Sequence, residues 1–372
     1  MKKMIKERLQ SLNRSLYPRH NFFAPQWIVL GVNNICNLHC KMCDVGTESL
    51  DTTFAQNLVG TQPLNMPLDL LKKIIDQTAA YFPKAKLGYA FTEPLIYPHL
   101  IESLVYAKQK GLYTTITTNA LTLKQKAGKL IEAGLDEIFI SLDGTSEIHN
   151  EIRGNKKSFE KAVEGIEALN AYPNSPKITI VYAITEWNIE CMIPFLDFFK
   201  NYKIARIGFM HTQFTENEVA QIHNTKYGDI YQATISNVQE LDFTKMDLKK
   251  LLENIQTIKK QSYPFEVFFS PEMASEKELE LYYFQPEKIL GKHCHDVFSN
   301  MMIKSNGSVI PSHGRCFNLT VGNLYEDSLE NIWNSATFSK LRTDIMKAGG
   351  YFDACSRCCS GFNGYTAKQQ NG

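Results

Sequence analysis

Between residue 27 and about residue 210, short apolar runs alternate with segments whose apolar residues recur every three or four positions. "WIVLGV", "KLGYAF", "YTTITTN", "DEIFISLDG", "KITIVYAI" and "KIARIGFM" read as six strands. Between them, Leu70, Leu71, Ile74 and Ile75 share one helical face, as do Leu100, Ile101, Leu104 and Val105. The same holds for Leu123, Ala127, Leu130 and Ile131, and for Phe159, Ala162, Val163, Ile166 and Leu169. Gly111 and Gly134 stand where the second and third of these helices must stop. Apolar runs without alternation belong to strands covered on both faces. Strand–helix–strand crossovers are right-handed, so six of them curl a parallel sheet toward a barrel. The pattern predicts an α/β chain built on a partial (β/α)6 barrel over residues 27–211.

The texture changes after that. A polar stretch at 212–243 precedes an amphipathic helix (Leu248, Leu251, Leu252, Ile255, Ile258) and the strand "FEVFFS", a 212–290 segment expected over the barrel. Residues 291–372 read as a small α+β unit. It holds a hairpin turning at Asn306-Gly307 and one helix, "DSLENIWNSATFSKLR", with Asp327 as its cap. Within the 1–26 extension, Ile5, Leu9, Leu12 and Leu16 form one helical stripe, expected to pack against the outside of the main domain. Forty basic and 39 acidic residues leave a net charge of +1, which gives no reason to expect nucleic acid or an anionic membrane surface as an obligatory partner. No 18-residue apolar run occurs, so no membrane span is expected, and no signal peptide is evident. A cytoplasmic, reducing location follows, where nine cysteines read as metal ligands or catalytic groups rather than a disulfide framework.

Eight of the nine cysteines gather at two places. Cys36, Cys40 and Cys43 lie on the loop after the first strand with C-x3-C-x2-C spacing. Three thiolates do not close a tetrahedral structural zinc, but they hold three irons of a [4Fe–4S] cubane and leave the fourth open. A zinc site borrowing a distant cysteine is the other reading. Cys294, Cys316, Cys355 and Cys358 are enough to close a second site, and spacing alone leaves zinc and cluster equally open. Cys359 is left over, as a spare ligand, a buried apolar group or a hydrogen-atom donor. Cys191 reads as core.

The loop "CNLHCKMC" resembles the cluster motif of the radical S-adenosylmethionine (radical SAM) superfamily, and further stretches match in order. "FTEPLIYP" resembles the segment after the second strand, with Phe91 and Thr92 standing where the family has glycines. "TTNA", "SLDG", Arg153 in "HNEIRG", and "VYAITEWN" resemble the motifs that follow. The resemblance implies that Cys36, Cys40 and Cys43 hold a [4Fe–4S] cluster whose open iron chelates SAM. It implies that Glu93 receives the SAM ammonium, Ser141 the ribose and Arg153 the carboxylate, with Met42, Thr118, Asn119, Asp143 and Ala183 completing the SAM site. Reductive cleavage of SAM would give a 5′-deoxyadenosyl radical that removes a substrate hydrogen, drawing its electron from a flavodoxin- or ferredoxin-type donor. The late stretch "C…IKSNGSVIP…C…VGNLYEDSLENIW…CSRCC" resembles the SPASM/twitch extension. That implies one auxiliary [4Fe–4S] cluster on Cys294, Cys316, Cys355 and Cys358.

The expected outcome is an oxidised or epimerised product from a small sugar or cyclitol, or from a peptide. A peptide maturase forming thioethers, epimers or oxidised side chains is the alternative. Only 35 residues precede Cys36, too few for a leader-binding domain, which favours a small substrate or a peptide bound without such a domain. Cys359, Tyr89 and His211 are the candidates for substrate chemistry. The competing non-enzymatic reading is an interaction protein with a four-cysteine zinc module.

Overall fold

The computed structural model describes residues 2–312 and 314–362. Ten strands join in one sheet: β1 (Trp27–Leu30), β2 (Lys86–Tyr89), β3 (Tyr113–Thr118), β4 (Glu137–Ser141), β5 (Lys177–Ile184), β6 (Arg206–His211), β7 (Glu266–Ser270), β8 (Asn300–Ile303), β9 (Ser308–Ile310) and β10 (Gly322–Asn323). Their spatial order is β10-β9-β8-β1-β2-β3-β4-β5-β6-β7. The run from β8 through β1 to β7 is parallel, and only β9 and β10 turn antiparallel. The six expected strands form, and the sheet continues past both of their edges. β7 lies beside β6, and β8, from the cysteine-rich end of the chain, pairs with β1 in the register Trp27↔Asn300.

Burial follows from the crossovers. Ile28, Leu30, Leu87, Ile116, Ile138, Ile140, Ile180 and Ile207 have no exposed surface. The helices Leu68–Tyr81, Leu100–Gln109, Leu123–Glu132 and Ser158–Asn170 bury the faces their spacing marks out. Gly111 and Gly134 take φ of 75° and 76°, the left-handed turn that ends a helix at low cost for glycine. At the end of the barrel where strands begin, buried Glu137 accepts hydrogen bonds from Arg206 at 2.7 Å and Thr179 at 3.3 Å. That carboxylate braces the bottom of the sheet, and the chemistry-bearing loops lie at the other end.

Three local expectations change. The single late helix is two, Leu329–Trp333 and Ala336–Lys347, capped by Ser328 and Ser335 rather than by Asp327. The polar stretch after 211 contains a helix, Asn217–Tyr227, and another helix, Glu276–Phe284, carries a complete Ser275–Glu278 capping box. The N-terminal helix Lys2–Leu16 forms, but its apolar stripe does not pack on the domain. Ile5, Leu9, Leu12 and Leu16 are 47–69% exposed, because the inward side carries Asn13, whose amide closes onto the Tyr17 and His20 carbonyls.

Candidate functional site

The loop after β1 carries Cys36, Cys40 and Cys43, and close backbone approach shapes it. A Cβ on Gly46 would overlap the Cys40 backbone nitrogen and oxygen, and one on Gly154 (φ 65°) would meet the His39 carbonyl. Each thiol is pushed toward its protonated form, chiefly by burial; Cys40 adds to the rise at Cys36 and at Cys43, which reaches about 12, while Arg153 opposes the rise at Cys40 itself. Three apolar-bound thiols crowded this way become thiolates only when a cation compensates them. Among the described residues no three His, Cys, Asp or Glu groups are gathered on one point that could hold a metal ion. A cubane asks for something different, since each thiolate takes its own iron. The donor set therefore fits a [4Fe–4S] core.

Around this loop the expected residues form two networks. Glu93, fully buried, accepts from Leu95 N at 2.9 Å, Thr118 Oγ1 at 2.6 Å and Asn119 N at 2.8 Å. Burial raises its pKa, and these three donors and the Arg153 charge pull it back. Asn119 also donates to Asn37 of the cysteine loop at 2.8 Å. Of the two positions where the resembled family has glycine, Phe91 takes a left-handed φ of 92° and Thr92 does not; Ala120, ending "TTNA", takes φ 62°. Room for the Phe91 ring comes from Gly31, where any Cβ would strike it.

The second network is built on Asp143. Its carboxylate accepts from Arg153 Nε and Nη2, both at 2.5 Å, and from Ala183 N at 2.8 Å. Arg153 turns its remaining edge to Cys40 Sγ at 3.6 Å. The guanidinium expected at the SAM carboxylate thus has one edge committed to Asp143 and a second contact at a cluster-loop thiol. Ser141 ends β4 half-buried beside Val181 of β5.

A cavity opens above these groups, lined by Met42, Phe54, Leu58, Phe91, Ala183, Met210, His211, Thr212, Gln213, Asn237, Gly314 and Arg315. Of the expected residues, Met42, Ala183 and His211 face it. His211 Nδ1 pairs with the Tyr283 hydroxyl at 2.8 Å, its Nε2 has no partner among the described residues, and burial holds its pKa at about 3. Tyr89 does not reach the cavity. It points to the outer layer, where its hydroxyl donates to Ser103 Oγ at 3.0 Å on the helix Leu100–Gln109.

A second, more enclosed cavity is lined by all four late cysteines, Cys294, Cys316, Cys355 and Cys358, together with Phe54, Thr215, Ser312, Arg315, Tyr351 and others. Burial lifts Cys294 to about 11 and Cys355 to about 12, so this set also needs a cation to ionise. Four thiols around one cavity fit a fully ligated cluster. The Cys355–Cys358 turn is anchored by Arg357, which donates to the carbonyls of Leu281 at 2.6 Å, Gln285 at 2.7 Å and Lys288 at 2.7 Å. It thereby satisfies the C-terminal carbonyls of the helix that carries Tyr282 and Tyr283. Cys359 hydrogen-bonds its neighbour Cys358 and lines neither cavity. Cys191, half-buried, accepts from Thr145 Oγ1 at 3.6 Å.

Several participants had no sequence signal. Phe54 and Leu58 come from a short helix, Thr53–Val59. Asp44, fully buried, accepts from Thr52 at 2.9 Å, Ser236 at 2.8 Å and Asn237 N at 2.5 Å, tying the cysteine loop to the 212–243 segment. Arg315 donates to the Gln213 carbonyl and stands over the Phe54 ring.

Two family models match the chain: the radical SAM superfamily over residues 31–199, and the SPASM iron–sulfur cluster-binding domain over 294–359. Fe-coproporphyrin III synthase of Methanosarcina barkeri (strain Fusaro / DSM 804) is 23% identical over 346 residues, covering 89% of this chain and 80% of that one. Streptococcus suis SuiB matches 95% of this chain and 76% of its own, at 17% identity and a TM-score of 0.61. Native anSMEcpe with bound AdoMet matches 84% of this chain and 81% of its own, at 16% identity and a TM-score of 0.56. At these identities the structural matches speak for the fold.

Proposed function

We propose that this chain, which matches the radical SAM superfamily model over residues 31–199 and the SPASM model over 294–359, is an oxidase of an unactivated C–H bond. The substrate is a peptide side chain or a comparably small organic molecule, and the reaction removes two electrons. When bound, the N-terminal cluster and SAM supply the hydrogen-abstracting 5′-deoxyadenosyl radical, and the auxiliary cluster supplies a one-electron acceptor. Cys36, Cys40 and Cys43 would hold the first cluster, and Cys294, Cys316, Cys355 and Cys358 the second.

The protein's own residues do the rest. Glu93, oriented by its three donors, offers a buried carboxyl group to an ammonium, whose charge would favour the ionised form. Asp143 and Arg153 clamp the end of β5 to the Cys40 loop. Met42 and Ala183 put apolar surface at the cavity wall, and Ser141 is the hydroxyl nearest the end of β4. One observation carries the choice of oxidation over epimerisation: Phe54 and Arg315 line both cavities, while Cys359 lines neither. A single layer of side chains thus separates substrate space from the auxiliary site, and no thiol of Cys359 faces the substrate. A peptide substrate draws support from the SuiB fold, which has been solved with the precursor peptide SuiA.

Anaerobic reconstitution should give about eight irons per chain, from two cubanes of four. Dithionite and SAM should then release 5′-deoxyadenosine in step with a product two mass units lighter than substrate, with no solvent deuterium on carbon. A deuterated product at unchanged mass balance would replace oxidation with epimerisation. One zinc and no iron would end the radical reading altogether.

A further inference from the structure

The N-terminal helix Lys2–Leu16 is oriented against the usual logic of an amphipathic helix. Ile5, Leu9, Leu12 and Leu16 are exposed by 52, 50, 47 and 69%, and Met4, Tyr17 and Phe22 by 72, 54 and 68%. Among the described residues, none of these seven side chains belongs to the hydrophobic core or packs against it. The helix is held instead by polar groups. Asn13 Oδ1 accepts from Phe22 N at 3.0 Å, and Asn21 Nδ2 donates to the Phe298 carbonyl at 2.8 Å. Trp333 Nε1 donates to the Phe23 carbonyl at 2.8 Å, and Arg14 is half-buried. These bonds tie the turn after the helix to the domain; of residues 4–16 only Gln10, Asn13 and Arg14 are not exposed, and the apolar stripe stands in solvent.

Charge says what covers it. Six of the first 19 residues are Lys or Arg and one is acidic, whereas the rest of the chain carries 34 basic and 38 acidic residues. At about 100° per residue the four-residue stripe spans roughly 60° of the helix, with Arg8 on one flank and Lys6 on the other. Apolar residues bordered by long cationic side chains are the arrangement that seats a helix in a lipid headgroup layer. The stems lie along the acyl boundary while the charges stay with the headgroups. We propose that this helix docks the enzyme on an anionic membrane surface, lying in the interface without crossing it. No helix among the described residues is long and apolar enough to span a bilayer, so the contact is peripheral. A lone helix of this kind gives reversible attachment, sensitive to ionic strength.

The test uses full-length reconstituted protein sedimented with phosphatidylcholine vesicles, with and without phosphatidylglycerol. Binding is expected only with the anionic lipid, and high salt should weaken it. Leu9→Asp with Leu12→Asp should lower partitioning by at least about tenfold, since two apolar side chains leave the acyl boundary. The thermal midpoint should not move, because neither side chain touches the core. Lys6→Glu with Arg8→Glu should remove the salt-sensitive part of binding. Absence of binding to anionic vesicles at low salt overturns the proposal, as does binding that the leucine pair leaves unchanged. A concentration-dependent dimer that the leucine pair abolishes, with no vesicle binding, would reassign the face to a second copy of the chain.

Discussion

Replacing Glu93 by glutamine changes one carboxylate oxygen to an NH2 and keeps the shape. The carboxylate accepts from Leu95 N and Thr118 Oγ1 on one oxygen and from Asn119 N on the other. The glutamine oxygen will keep the side with two donors, which turns its NH2 toward the Asn119 N–H. A buried backbone donor is then left facing a donor, at a cost of about 1–3 kcal/mol. At about 2–4 °C per kcal/mol, the thermal midpoint should fall by roughly 2–12 °C. If Glu93 also receives the SAM ammonium, a charge-assisted hydrogen bond of about 1.5–3 kcal/mol is lost as well. SAM affinity should then drop by about 10- to 150-fold. Equilibrium dialysis of SAM against anaerobically reconstituted E93Q, beside a melting curve, reads both effects. A lowered midpoint with SAM affinity within threefold of the parent would show that Glu93 only braces the loop, and would refute the contact.

Gly46→Ala puts a methyl into the Cys40 backbone and should cost the N-terminal cluster alone, leaving about four of about eight irons after reconstitution; retention of all of them would contradict the close approach. Cys316→Ser should remove the auxiliary cluster, while Cys359→Ser should leave both the iron count and the oxidised product within twofold of the parent; the reverse pattern would exchange their roles. For His211, the folded pKa of about 3 lies below the ordinary 6.5, so the unfolded chain binds the extra proton. This group contributes no penalty above about pH 6.5, and stability falls as pH drops from there toward 3, by about 1.4 kcal/mol per unit. Between pH 7 and 5 the parent should therefore lose about 2 kcal/mol more than His211→Gln in unfolding experiments, and equal losses would contradict the burial.

The barrel was legible because its signals are local. Each strand is an apolar run and each crossover helix carries its own stripe, so six β/α units could be counted without knowing how they meet. The first cysteine set was legible for the same reason, since its three members fall within one loop. What could not be read is what depends on distant pairing. Asp44 looks like any acid after a cysteine until Ser236 and Asn237 come to it. Arg315 acquires meaning only because Phe54, more than 250 positions earlier, lies beneath it. The direction of Tyr89 could not be read because an apolar run covered on both faces does not tell which of its residues look into the cavity. The N-terminal stripe was read as buried because apolar periodicity usually means packing, and only Asn13 and Arg14 on the other side reverse it. The capping box at Ser275–Glu278 was a local signal that could have revealed the helix carrying Tyr282 and Tyr283.

The pairing of β1 with β8 has a consequence for how the chain comes into being. The strand that launches the first cysteine loop leaves the ribosome about 270 residues before the strand that completes its edge. At about 5–20 residues per second, β1 waits some 15–55 s with one row of backbone donors and acceptors uncovered. Iron loaded onto the early loop in that interval would enter a site whose far wall does not yet exist. The order of synthesis thus favours a chain that closes its sheet first and receives its metal afterwards, and a ribosome stalled before residue 300 should hold a product prone to pairing with its own copies.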